Sequence, residues 1–196
     1  DPRLDQAIAL VLVAISNYLL LKYIAFKKKE IPPLYKVFLI LMFCHFMLWS
    51  FIPCLRQMLP LDTIEAIFWG TIKDWGTNKH PPLSGIMAYG TWILGGKSDL
   101  SVYMLSQICV LFGLIFIFKI GKLFLSEKKA LLTTLLMEGI IYYNFQTVEY
   151  NVNVVSLALW PICTYFFIKA IRENEWTDWV FFGMMFMQKI QMVLSS

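Results

Sequence analysis

The residues able to do chemistry gather in one stretch, Leu59 to Gly85, LPLDTIEAIFWGTIKDWGTNKHPPLSG, which lies between two long apolar runs. It carries Asp62, Glu65, Lys73, Asp74, Lys79 and His80. Asp62 and Glu65 stand three residues apart, so a helical turn sets both carboxylates on one face. At a water boundary one of them could serve as a general base. The same pattern, Pro60-Leu61-Asp62-x-x-Glu65 before an apolar run, also fits a capping box with Asp62 at the N-cap and Glu65 at N3. The two readings are compatible, since a cap fixes the carboxylate's position. In Lys79-His80-Pro81-Pro82, two prolines stiffen the chain directly after a cationic pair. That corner either holds a phosphate, which near a bilayer needs compensating charge, or is an exposed turn into the next helix. His80 and Glu149 could hold a divalent cation, although no spacing demands one.

Other polar residues lie inside apolar runs. Glu138, in LLMEGIIYY, is expensive in hydrocarbon and is a functional candidate on that ground. The alternative is a protonated, hydrogen-bonded structural carboxyl. Glu138 and Glu149 are about three helical turns apart and would share a face if one helix ran through both. Lys189 either snorkels to the interface or binds a lipid phosphate. His45 reads as a satisfied interhelical histidine. The methionines of GMMFMQ read as packing, and Cys44, Cys54, Cys109 and Cys163, without metal-type spacing, as small buried apolar residues.

The elements that must position these groups are membrane helices. The chain has 196 residues, 59% hydrophobic and only 15% charged, against about 45–50% and about 25% in soluble domains. The apolar residues come in blocks of about 20, each able to cross roughly 30 Å of hydrocarbon. The expected architecture is an all-α polytopic membrane protein. Its six expected spans are Ala7–Phe26, Leu34–Leu55, Leu100–Phe118, Ala130–Phe145, Asn153–Ile168 and Trp179–Leu194. Leu83 to Leu94 is too short for a crossing and is placed as a juxtamembrane helix in the first outer loop, residues 57–99. The net charge of +4 is no nucleic-acid signal, because the lysines cluster at the ends of apolar blocks. With the N-terminus outside, Lys22, Lys27 to Lys29, Lys36, Lys119, Lys122, Lys128, Lys129, Lys169 and Arg172 fall on the cytoplasmic side. That orientation puts the polar stretch and the turn Gln146 to Val152, with Glu149, on the same outer surface. The missing initiator Met and the abrupt end at QKIQMVLSS read as a piece of a longer chain.

LPLDTIEAIFWG, NKHPPLSG, GGKSDLSVYMLSQ, LLMEGIIYYNF and EYNVNVVSLALWP, in that order, resemble the N-terminal half of bacterial GT-C glycosyltransferases. These are the protein-mannosyltransferase-like family that includes the aminoarabinose and galacturonic-acid transferases of lipid A. The resemblance covers about residues 31–196. It implies a polyprenyl-phosphate-linked sugar donor, a lipid, glycan or protein acceptor, and an inverting reaction on the non-cytoplasmic face of a bacterial inner membrane. The family's catalytic acidic residue at the start of the first outer loop matches Asp62, with Glu65 close by. Its Lys/His-Pro-Pro segment near the lipid phosphate matches Lys79, His80, Pro81 and Pro82, and Lys189 is a further candidate for that phosphate. Its second acidic or amide position matches Glu149, Asn151 or Asn153. Members commonly carry Asp-Glu at the first site, where this chain has Asp-Thr. Residues 1–30 depart from the family, and LVAISNYLLLKYIAFKKK resembles the last helix of small GtrA-like membrane proteins. Alternative classes are a transporter or flippase of lipid-linked sugars, with Glu138 and Lys189 along its path, and a non-catalytic membrane subunit.

Overall fold

The computed structural model describes residues 34–55, 58–72 and 82–194, with side chains placed between 36 and 187. The expected first span, Ala7–Phe26, and the Lys79-His80-Pro81 corner lie outside the described residues, as does the side chain of Lys189. Seven α-helices and no strand are found among the described residues. Three of these helical stretches, Lys36–Leu55, Asp99–Phe124 and Val152–Glu173, are long and apolar enough to cross a membrane.

Helix α1, Leu34–Phe51, runs on as a 3-10 turn over Ile52–Leu55, where Pro53 withholds the N–H an α-helix would need. The helix is apolar all round, which suits a membrane span or a buried helix and not a surface helix of a soluble domain. Val37, Phe38, Leu41, Met42 and Trp49 are buried, whereas Leu39, Ile40 and Phe43 point outward at about 60% exposure. Helices α2, Leu61–Thr71, and α3, Pro82–Leu94, follow. At about 1.5 Å per residue neither can span hydrocarbon. They meet backbone to backbone: a Cβ added to Gly70 would lie 2.1 Å from the Gly85 carbonyl oxygen. The glycines are therefore what allows this approach.

Helix α4, Asp99–Phe124, is the central column. Val102, Val110 and Leu114 on it are fully buried. It stacks Phe118 on Phe38 of α1 at 4.6 Å. It crosses α6, Val152–Glu173, so closely that a Cβ on Gly113 would fall 2.5 Å from the Leu157 carbonyl oxygen. Asn174, at φ 54°, ends α6 in the left-handed conformation, and α7, Trp176–Leu194, packs back along it through Phe166 and Phe181 at 5.0 Å.

The expected fourth span, Ala130–Phe145, is not one helix. Helix α5 covers only Glu127–Met137. After Glu138 the chain makes two 3-10 turns, Ile141–Tyr143 and Phe145–Val148, before α6 begins. Glu138 and Glu149 therefore do not share a helix face. The run is apolar enough to look continuous, but its interior polar side chains bind its own backbone. Asn144 Nδ2 donates to the Glu138 carbonyl at 2.8 Å and Asn144 Oδ1 accepts from the Phe145 N–H. Thr147 Oγ1 donates to the Asn144 carbonyl. These bonds compete with the helix ladder and win.

The helices give the molecule two chemically different ends. At one, Lys122 approaches Glu127 at 3.9 Å, Arg172 Nη1 donates to the Leu123 carbonyl at 3.2 Å, and Lys169 pairs with Glu173 at 3.2 Å and Asp178 at 3.4 Å. At the other, the start of α2 meets the start of α6. Among the described residues the two basic turns, Lys119 to Lys129 and Lys169 to Arg172, thus share one end, as the lysine and arginine pattern led us to expect.

Candidate functional site

At the acidic end, a pocket of about 190 Å³ opens between α2, α3 and the start of α6. Asp62, Glu65, Ala66 and Trp69 line it from α2, Ser84 and Gly85 from α3, and Asn151, Val152 and Asn153 from α6. Positions 62, 65 or 66, and 69 recur at helical spacing, so one face of α2 supplies a whole wall. The opposite face of α2 presents Leu61, Ile64 and Phe68, all exposed.

The capping box does not form. Helix α2 starts two residues earlier than the sequence pattern suggests, with Pro60 in place of Asp62 as its N-cap and no side-chain cap bond. Asp62 sits inside the first turn, and its backbone N–H donates to Glu149 Oε1 at 3.3 Å. A carboxylate from the far end of the chain thus takes the part expected of Asp62. The arrangement suits the positive end of the α2 dipole, which stabilises anions. The Asp62 side chain reaches the other way and accepts from Asn151 Nδ2 at 3.2 Å through Oδ2.

Asn151 has a second task. As N-cap of α6, its Oδ1 accepts from the Asn153 and Val154 N–H groups at 2.9 and 3.3 Å. One amide therefore caps a membrane helix with its oxygen and orients Asp62 with its nitrogen. Tyr150 anchors the same junction: fully buried, its hydroxyl donates to the Ser84 carbonyl at 3.0 Å. Burial, with a smaller push from Cys109, raises its pKa well above the usual phenol value, so it keeps the proton that this bond needs. Glu65 Oε1 accepts from Trp69 Nε1 at 3.1 Å, one turn on, which holds the indole against the pocket.

Of the residues singled out by sequence, Asp62, Glu65, Glu149, Asn151 and Asn153 come together here. Among the described residues no cluster of three or more His, Cys, Asp or Glu side chains is arranged to hold a metal ion. Glu149 is spent on the α2 N-terminus, and His80 lies outside the description. Sequence reasoning missed Trp69, for which the i, i+4 spacing from Glu65 was the available signal. It also missed Tyr150, which nothing local distinguishes from a packing tyrosine.

A second polar cluster lies deeper, among α1, α4 and the α5–α6 break. His45 Nδ1 lies 2.9 Å from Glu138 Oε2, and His45 Nε2 lies 3.0 Å from Gln107 Oε1. Gln107 Nε2 donates to Thr147 Oγ1 at 3.2 Å, and Ser106 Oγ donates to the Thr147 carbonyl. All five residues are buried. With the Gln107 amide oriented by Thr147, His45 Nε2 is the donor toward Gln107 Oε1, and Nδ1 faces the Glu138 carboxyl. His45 is thus satisfied by partners on two other elements, as expected of it. Glu138 is hydrogen-bonded, in line with the structural reading, although its Oε1 is buried without a partner among the described residues.

Among the described residues the geometry is all-helical, with three helices long and apolar enough to cross a membrane and an acid-and-amide pocket at one end. The comparisons give the family. The model of the dolichyl-phosphate-mannose-protein mannosyltransferase family matches residues 79–195, more than half of the chain. The chain belongs to that family, whose members are membrane glycosyltransferases of the GT-C type. Comparison with characterised proteins and with solved structures finds no match.

Proposed function

We propose that this protein transfers a sugar from a polyprenyl-phosphate donor to a lipid, glycan or protein acceptor, with Asp62 as the general base. What carries the reading is the treatment of Asp62: one carboxylate oxygen is held by Asn151 and the backbone N–H by Glu149, beside a pocket within a glycosyltransferase chain. A general base needs a fixed direction before it needs an unusual pKa. Both contacts supply direction without protonating the carboxylate. The second oxygen of Asp62 would take the acceptor's proton as the acceptor oxygen attacks the anomeric carbon and the polyprenyl phosphate departs, inverting the configuration.

Glu65 and Trp69 form the wall on which the sugar would rest, the carboxylate accepting from hydroxyls and the indole covering an apolar ring face. Asn153 lies at the rim. Lys79, His80 and Lys189 are our candidates for neutralising the departing phosphate. A divalent cation at His80 would serve the same purpose. We place the pocket on the non-cytoplasmic face of a bacterial inner membrane, opposite the basic turns, with α2 and α3 as juxtamembrane helices. Lipid A is one acceptor compatible with this placement. The test is transfer of labelled mannose from dolichyl-phosphate mannose by the purified full-length protein and its Asp62→Asn variant. Unchanged transfer by a folded variant removes Asp62 from the role.

A further inference from the structure

The buried cluster around His45 uses more polar groups than helix packing requires. A single apolar side chain at each of positions 45, 107 and 138 would fill the same space without desolvating an imidazole, an amide and a carboxyl, each of which is costly to bury. The placement of the cluster suggests what it is for. Its bonds converge on the segment between α5 and α6. His45 of α1 binds Glu138 at the start of that segment. Gln107 and Ser106 of α4 bind Thr147 at its end. Two residues beyond Thr147 stands Glu149, on the Asp62 N–H; two further stands Asn151, on the Asp62 carboxylate.

We propose that the His45–Glu138 pair, with Gln107 and Thr147, is a positioning device for the pocket. It clamps both ends of the helix break so that Glu149 and Asn151 arrive at Asp62 in register. The proposal rests on the function proposed above for what the register serves, but the clamp itself can be read without any activity. A continuous α5–α6 helix could not deliver these residues, because the chain must stop, turn and restart between Met137 and Val152. The turn has no regular ladder to fix its register, so side chains from two neighbouring helices do so. What the clamp uses at position 138 is the hydrogen bond to His45 Nδ1. A neutral Gln at position 138 therefore preserves the clamp: its amide nitrogen can donate to His45 Nδ1 while Nε2 still donates to Gln107.

The test uses the full-length protein in membranes, with the four native cysteines replaced and Val148→Cys introduced. Val148 is buried against Trp49 and Tyr103, so an impermeant maleimide should label it slowly. Three backgrounds are compared with this parent. The triple variant His45→Phe, Gln107→Leu, Glu138→Leu turns the cluster apolar, Thr147→Val removes one hydroxyl at constant shape, and Glu138→Gln is the conservative control. The clamp predicts labelling about tenfold faster in the first two and unchanged in the third. With dolichyl-phosphate mannose as donor, kcat should fall on the order of 10- to 100-fold at unchanged KM, the scale of a misplacement of about 1 Å, and Glu138→Gln should keep parental kcat. A merely structural cluster predicts the opposite for the triple variant, since an apolar replacement that folds would keep both labelling and kcat. Parental labelling in folded triple and Thr147→Val variants overturns the proposal, and so does faster labelling with unchanged kcat. If the triple variant fails to fold, Thr147→Val decides alone. Should the parent transfer no sugar, the function assignment fails and labelling alone decides whether the clamp exists.

Discussion

Replacing Asp62 by Asn separates chemistry from architecture, because the contacts around it do not need its charge. The backbone N–H of residue 62 would still donate to Glu149 Oε1, and the side-chain oxygen of the substituted amide could still accept from Asn151 Nδ2. Pro60, not Asp62, is the N-cap of α2, so no capping energy is at stake. The loss of a negative charge in the first turn costs about 0.3–1 kcal/mol through the helix dipole. Relief of repulsion from nearby Glu149 offsets part of that. Stability should therefore move by less than about 1 kcal/mol. If Asp62 is the base, the rate should fall on the order of 10²–10⁴-fold, which is about 2.7–5.4 kcal/mol at 1.36 kcal/mol per decade. Asp62→Ala should add the loss of the Asn151 bond, about 0.5–1 kcal/mol at this exposed site, without a larger rate defect. The assay is labelled-sugar transfer from dolichyl-phosphate mannose by the full-length protein in detergent, with thermal unfolding recorded on the same samples. A well-folded Asp62→Asn protein with wild-type kcat/KM would refute the reasoning and transfer the role to Glu65 or Glu149.

Further outcomes can be checked with the same material. Glu149→Gln keeps an acceptor for the Asp62 N–H and should lose less than about tenfold in rate, whereas Glu149→Ala leaves that N–H unpaired and should lower thermal stability by about 0.5–1.5 kcal/mol as well; equal stability of the two variants would contradict the cap. Gly70→Ala drives a methyl into the Gly85 carbonyl and should cost about 1–3 kcal/mol, read as reduced folded yield; the reverse expectation holds for Gly90→Ala, where a Cβ meets nothing within 4 Å. Cysteines at exposed Ser98 and Gln146 should react with an impermeant thiol reagent in intact cells, and one at exposed Lys128 only after lysis; labelling of all three at equal rates would break the two-ended topology.

The helical class, the α1, α4 and α6 spans and the division into a basic and an acidic end were readable because they rest on apolar run length and on where lysines fall. Those are local or one-dimensional signals. The meeting of Asp62 with the Glu149 region was also readable, since both lie on one side of the same topology. What escaped was the manner of the meeting. Asp62-x-x-Glu65 has the letters of a capping box, but the true cap partner of the Asp62 N–H, Glu149, is 87 residues away, and no window around Pro60 contains it. The break after Met137 escaped for a related reason. LLMEGIIYYNF is apolar enough to continue a helix, and its ending is decided by Asn144 and Thr147 binding local backbone while, from other helices, Gln107 holds Thr147 and His45 holds Glu138. Propensity yields to tertiary hydrogen bonds that only the folded chain assembles.

The break also explains why the pocket sits where it does. Helix α4 presents buried residues from Val102 to Gly121 and crosses α6 at the Gly113–Leu157 contact, so the α6 axis is set by packing below the pocket. The direction in which the chain enters α6 is still open, and the residues before Asn151 settle it. Tyr150 reaches down to Ser84 of α3, and α3 is locked to α2 at Gly70 and Gly85. The α2–α3 pair is thereby tied to the same three-residue segment, Glu149 to Asn151, that carries the contacts to Asp62. Two independent chains of contacts thus end on one short piece of backbone: α1 and α4 through Glu138 and Thr147, and α3 through Tyr150. A rigid meeting point of that kind holds the exposed Asp62 carboxylate in one direction, and direction is what the proposed role of general base most needs.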